Sequence, residues 1–261
     1  MSRINRRIFL GGLGSLIGAG ALTYMNRNEV IRQVVLSQNN EQLLISDNLG
    51  ELSDSCVLSP EQTEGPFYVR SPIRQNIRED RNGFNLDLSV RVLSSVDCKP
   101  LAGALVEIWH CDASGRYSAY PEDIARQPWE TIKLVGLSDP NGVHVEPTNK
   151  KNYLRGGQIS NDEGEVRFST IFPGWYDPRI PHIHIAVTVK GVRQYTSQLY
   201  FPMAFANEIY GAHQDYKSFG LCPYELSNDP VLAEFPDARG LLVTPKAGGN
   251  RLNADATFVL S

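Results

Sequence analysis

From about position 56 onward, apolar and polar residues alternate in short runs. Leu86, Leu88, Val90 and Val92 recur at every second position across 85–93, the period of a half-buried β-strand, whose side chains point alternately to two faces. Further strands are predicted at 104–110, 165–172, 182–189, 193–201 and 256–260. Turn chemistry separates them, at Asp97-Cys98-Lys99-Pro100, Asp112-Ala113-Ser114-Gly115 and Asn161-Asp162-Glu163-Gly164. Short strands with turns between them predict an all-β chain folded as a β-sandwich. Two long intervals, 120–158 and 202–254, read as loops, and loops of that length in a compact domain usually serve as functional walls or lids.

The strand predicted at 182–189 carries the most chemistry. His182 and His184 stand at i and i+2, so they share one face, while Ile183, Ile185, Val187 and Val189 share the other and read as core. Two imidazoles side by side on a rigid strand can give two ligands to one metal ion. A His-x-His pair alone is weak evidence, because most such pairs are ordinary hydrogen-bonded histidines. Its neighbours strengthen it. Tyr176 and Arg179 lie on the loop just before the strand, and Tyr117, with Tyr120 as the alternative, follows the 112–115 turn. A phenol ionises near pH 10 in water, but coordination to a highly charged cation can remove its proton. Two phenolates with two imidazoles make a hard, anionic donor set that favours ferric over ferrous iron. The other histidines, His110, His144 and His213, lie in no comparable cluster.

The N-terminus reads as a separate unit. Arg3, Arg6 and Arg7 precede an uncharged, glycine-rich apolar run from Ile8 to Tyr24, the layout of an export signal and short for a membrane span. Asn5-Arg6-Arg7-Ile8-Phe9-Leu10 resembles the twin-arginine motif, and Ala19-Gly20-Ala21 offers a cleavage site. The expected organisation is a signal segment at 1–25, a linker or peripheral extension at 26–55 and a single β-sandwich domain at 56–261. The expected destination is the periplasm or the cell exterior, with a membrane tether if the signal stays uncleaved. The export machinery is then an expected partner.

Composition adds a few limits. A formal net charge of −4 gives no reason to expect a nucleic-acid partner. The 4 cysteines, Cys56, Cys98, Cys111 and Cys222, permit two disulfides in an exported protein, and the three pairings stay open. None is spaced C-x-x-C, which argues against a zinc ribbon or a thioredoxin-like site.

The segments Thr63-Glu64-Gly65-Pro66-Phe67-Tyr68, Val106-Glu107-Ile108-Trp109-His110-Cys111-Asp112, Gly115-Arg116-Tyr117, Gly174-Trp175-Tyr176, Pro181-His182-Ile183-His184 and Gln198-Leu199-Tyr200-Phe201 resemble the intradiol ring-cleavage dioxygenases. The protocatechuate 3,4-dioxygenase branch looks nearest. The resemblance covers about 56–201 and is specific as an ordered set. It implies a β-sandwich and cleavage of a catechol between its hydroxylated carbons, with both atoms of O2 entering a cis,cis-muconate-type diacid. It also implies one Fe(3+) per chain, held by Tyr117, Tyr176, His182 and His184, and the Gly-Arg-Tyr match selects Tyr117 over Tyr120. Tyr176 corresponds to the tyrosinate that leaves on substrate binding and helps accept a catechol proton. Arg179 corresponds to an arginine beside the substrate ring, and Gln198 to a glutamine next to the same site. The small-molecule partners implied are an aromatic diol and O2, and an oligomer is compatible with the pattern. The long interval between Tyr117 and Tyr176 is expected to reshape the substrate pocket.

Two other classes meet some of the same residues. A zinc hydrolase could take His182 and His184 with His213 as third ligand, leaving Tyr117, Tyr176 and Arg179 without a role. A non-catalytic β-sandwich binding module would need none of the four ligands.

Overall fold

The structure is a computed structural model that describes residues 56–121, 144–235 and 239–261. The expected signal and linker, and much of the 120–158 interval, lie outside the described residues. Among the described residues eight strands form two sheets. One has the order β4-β1-β8-β7 and the other β3-β2-β5-β6, where β1 is Asn85–Ser94, β2 Leu105–Trp109, β3 Arg155–Ile159, β4 Glu165–Ile171, β5 His182–Val189, β6 Val192–Tyr200, β7 Lys246–Gly248 and β8 Arg251–Leu260. The β1–β8 pairing is parallel, and the other ladders are antiparallel. Leu86, Leu88, Val90 and Val92 of β1, Val166 and Phe168 of β4, and Phe258 of β8 meet Val106 and Ile108 of β2 and Ile183, Ile185 and Val187 of β5 in one core. The chain is an all-β sandwich, as its alternation predicts.

The two long intervals hold more regular structure than the sequence reading expects. Strand β3, Arg-Gly-Gly-Gln-Ile, has no hydrophobic alternation to announce it. Its glycines serve close packing instead: a Cβ at Gly156 would lie 2.3 Å from Ile77 Cγ2. Helix α1, Met203–Ala212, follows Pro202 and buries Phe205, Ala206, Ile209 and Tyr210, an i, i+4 pattern hidden within a stretch read as loop. A short helix α2, Gln214–Lys217, comes next. Strand β8 begins at Arg251 rather than 256 because Leu252, Ala254 and Ala256 extend the buried alternation, and alanines carry little hydrophobic signal.

Cys56 and Cys98 form a disulfide, with Cα atoms 5.7 Å apart, which ties the start of the described domain to the turn after β1. Cys111 and Cys222 are free and buried. Among the described residues no helix is long and apolar enough to cross a membrane.

Strand β5 is buried on both faces. Its isoleucines face the sandwich core, and its other face meets a second cluster formed by Phe67, Trp109, Tyr117, Tyr120, Val145 and Tyr176. His182 and His184 lie on that second face, beneath loops that close over the outside of the sheet.

Candidate metal centre

Register places the histidines. His184 pairs with Trp109 of β2 on one side and with Gln198 of β6 on the other. His182 pairs with Tyr200. The Trp109 and His184 rings stack at 4.9 Å with 5° between their planes, so the His184 imidazole is clamped flat.

Two loops bring in the tyrosines. Asp112 Oδ1 accepts from Ser114 N, Ser114 Oγ and Arg116 N at 2.9, 2.8 and 3.1 Å, which shapes the tight turn leading to Tyr117. The second loop, Gly174-Trp175-Tyr176, packs against this turn backbone to backbone. A Cβ at Gly115, whose φ is +76°, would sit 2.4 Å from the Trp175 carbonyl oxygen, and one at Gly174 would sit 2.5 Å from the Asp112 oxygen. The glycines of both tyrosine motifs therefore allow the two loops to touch. Tyr176 and Arg179 close the following turn, with Tyr176 N donating to Arg179 O at 3.3 Å.

Four donor atoms converge. Tyr117 Oη and Tyr176 Oη each lie 3.3 Å from His182 Nε2, and His184 Nε2 lies 3.1 Å from it. All four side chains are at most 1% exposed. His182 Nδ1 lies 2.7 Å from Ile180 O; it donates there, which leaves the Nε2 lone pair aimed at the cluster. That single lone pair cannot satisfy two phenols and a second imidazole together. A cation at their centre can.

Burial sets the protonation. Desolvation, followed by the neighbouring Tyr176, holds the Tyr117 phenol well above its usual value. Desolvation pushes Tyr176 up to about 12, with the Arg179 charge opposing. Both imidazoles are held neutral, far below the usual histidine range, by desolvation, with Arg179 adding to the effect at His182 and His182 adding to it at His184. Neutral imidazoles are ready ligands, and buried phenols give up their protons only to a strong positive charge. The N2O2 donor set therefore fits a hard trivalent ion better than zinc, which favours histidine and thiolate.

The remaining expected residues fall as follows. Tyr120 turns away, donating to Tyr68 O at 3.1 Å; Tyr117 is the tyrosine in the cluster. Gln198 Oε1 accepts from Arg179 Nη2 at 2.5 Å, and Gln198 Nε2 donates to Thr63 O at 3.1 Å. His213 packs on Phe84 and Tyr216 and caps α2. Among the described residues no three His, Cys, Asp or Glu side chains gather as a metal site, and His213, the third ligand expected for zinc, packs against Phe84 and Tyr216 instead. His110 is bonded to Cys111 O and Thr170 Oγ1, and His144 pairs with Glu64.

Arg179 is neither a surface salt bridge nor an unpaired charge. It is 1% exposed, and its Nε lies 2.9 Å from Asp229 Oδ2 in a fully buried ion pair. Burial works against its charge, yet Asp229 holds the guanidinium protonated well above its usual range. The sequence offers no signal for this partner beyond the turn-like Asn228-Asp229-Pro230. Arg155 is a second buried guanidinium, donating to Ser118 Oγ and O at 2.8 and 3.0 Å and lying 5.9 Å from the Tyr117 ring.

The family model described as Dioxygenase matches residues 59–214. The chain is 28% identical over 183 residues to catechol 1,2-dioxygenase of Acinetobacter baylyi, covering 63% of this chain and 57% of that protein. It is 30% identical over 146 residues to catechol 1,2-dioxygenase 2 of Acinetobacter lwoffii, covering 54% and 50% respectively. The chain thus spans little more than half the length of these curated relatives. Among solved structures it is similar to an intradiol ring-cleavage dioxygenase from Tetranychus urticae, with a TM-score of 0.67, 27% identity and coverage of 79% of this chain and 95% of that one.

Proposed function

Because the chain belongs to the intradiol ring-cleavage dioxygenase family, we propose that it opens a catechol-type ring between its two hydroxylated carbons with O2. The carbon–carbon bond breaks, the ring carbons are oxidised, and both atoms of O2 enter the two new carboxyl groups of a cis,cis-muconate-type diacid. The observation that carries this reading is the convergence of two phenol oxygens and one imidazole nitrogen on His182 Nε2, at 3.1–3.3 Å. These four side chains would hold one ferric ion per chain.

When bound, that ion would supply Lewis-acid activation of the diphenol and an electron acceptor beside it. The chain supplies the rest. Held as a phenolate by that ion, Tyr176 would take one catechol hydroxyl proton on its Oη, and burial favours the protonated phenol that results. The Arg179 guanidinium faces the negative charge that develops on the ring, and Gln198 Oε1 accepts a hydrogen bond from its Nη2. The Trp109 ring stacked on His184 keeps water off one side of the site.

On substrate, the sequence motifs favour the protocatechuate type and the curated relatives bear catechol names. The Arg179 guanidinium already gives its Nε to Asp229 and its Nη2 to Gln198, which leaves it fewer donors for a ring carboxylate. We place uncharged catechols ahead of protocatechuate. A panel of catechols tests this in the iron-loaded protein: unsubstituted and chlorinated catechols should give ring-opened diacids with the higher kcat/KM. A semialdehyde product would mean cleavage outside the diol, and no product across the panel would favour the binding-module reading.

Export by the twin-arginine route to the periplasm or beyond is also proposed. Its support is the Arg6-Arg7 motif ahead of the apolar run and the Cys56–Cys98 disulfide, since such bonds persist in oxidising compartments. Changing Arg6 and Arg7 together to lysine should leave precursor in the cytoplasm; unchanged export of that variant would point to another route.

A further inference from the structure

We propose that Asp229 is the positioning residue for Arg179. This rests on the ring-cleavage reading above, in which Arg179 faces the developing charge. Asp229 lies beyond residues 59–214 that the family model matches, on a segment the sequence reading leaves as loop. Its carboxylate is 0% exposed and accepts from every side. Oδ1 takes Val231 N and Leu232 N, both at 3.0 Å. These two amides belong to its own segment and hold the carboxylate in place independently of the arginine. Oδ2 takes Arg179 Nε at 2.9 Å and Ile180 N at 3.0 Å. One carboxylate thus docks both the guanidinium and the backbone of the loop that carries it.

The consequence is directional. An arginine side chain has many rotamers, and a fixed geometry matters more to a reaction than proximity alone. With Nε held by Asp229, the planar guanidinium has one orientation, which puts Nη2 at 2.5 Å from Gln198 Oε1 and 3.4 Å from Tyr200 Oη. Without the carboxylate, the charge would turn toward the nearest acceptor available, including the phenol of Tyr176. Asp229 bonds Arg179, Ile180, Val231 and Leu232 and none of the four converging side chains, so it reaches the site through Arg179 and the loop backbone that carries it.

The experiment uses the full chain and the variants Asp229→Asn, Arg179→Met and the two combined. In protein labelled with 15N at arginine, the parent should show a slowly exchanging Arg179 Nε–H that Asp229→Asn loses. With iron and catechol, Asp229→Asn should keep parental iron content and a KM within about 3-fold of the parent, while kcat falls on the order of 10²-fold, the scale of a misplaced catalytic contact. A buried arginine stripped of its partner can unfold a protein, and the combined variant guards against this because it removes both charges. Its kcat should match that of Arg179→Met within about 3-fold, since a residue whose effect on turnover runs through the guanidinium has nothing left to position. Parental kcat in Asp229→Asn, a retained protected Nε–H, or a further 10²-fold loss in the combined variant would overturn the inference. A parent chain that opens no catechol would instead overturn the ring-cleavage reading, and the labelled-arginine measurement would then decide Asp229 alone.

Discussion

His184→Ala is expected to empty the site of iron. The parent should carry about one ferric ion per chain and absorb visible light, as tyrosinate bound to ferric iron does. The variant should be colourless and inactive. Loss of a single partner behind a ligand already costs about 10- to 100-fold in metal affinity, and loss of the ligand itself should exceed that. His213→Ala serves as the comparison. His213 sits against Phe84 and Tyr216, so its removal should leave colour and iron unchanged. Iron retained by His184→Ala and lost by His213→Ala would reverse the assignment.

The second large effect concerns a residue with no donor atom. Gly115→Ala is expected to lower the unfolding free energy by about 2–5 kcal/mol, from the cost of a left-handed backbone and of overpacking, and to strip iron from what remains folded. Its Cβ would meet the Trp175 carbonyl oxygen at 2.4 Å, backbone against backbone, with no flexible side chain to yield. The loops bearing Tyr117 and Tyr176 would have to part. Gly103 isolates this contact: its φ is +74°, and a Cβ there would meet nothing within 4 Å. Gly103→Ala should cost only about 1–2 kcal/mol for the left-handed backbone and keep full iron. Urea unfolding and metal analysis of the pair separate the two contributions, and equal effects would remove the case for interlocked loops.

Much of the site was legible because its residues lie on strands with clear periodicity or next to tight turns. The alternation of β5 puts His182 and His184 on one face and the isoleucines on the other, and the sandwich core takes the isoleucines alone. Proximity of Tyr176 to the histidines follows from sequence distance alone. Three things were not legible. Strand β3 carries glycines where a strand usually carries β-branched residues, because its neighbours approach too closely for a side chain. The cysteine pairing depends on where the chain before β1 returns, which no local pattern encodes. The Arg179–Asp229 pair joins residues 50 apart in sequence, and a buried ion pair leaves no periodic trace. Arg179→Ala would leave the Asp229 carboxylate buried and uncompensated, so stability as well as turnover should fall. The Arg179→Met variant combined with Asp229→Asn is the cleaner probe.

The most direct measurement of the central claim is the fate of O2. The iron-loaded protein is given catechol under isotopically labelled O2 in unlabelled water, and the ring-opened product is analysed by mass spectrometry with fragmentation. Intradiol cleavage predicts one labelled oxygen in each of the two new carboxyl groups. Product lacking label, or carrying it beside an aldehyde, would contradict the assignment.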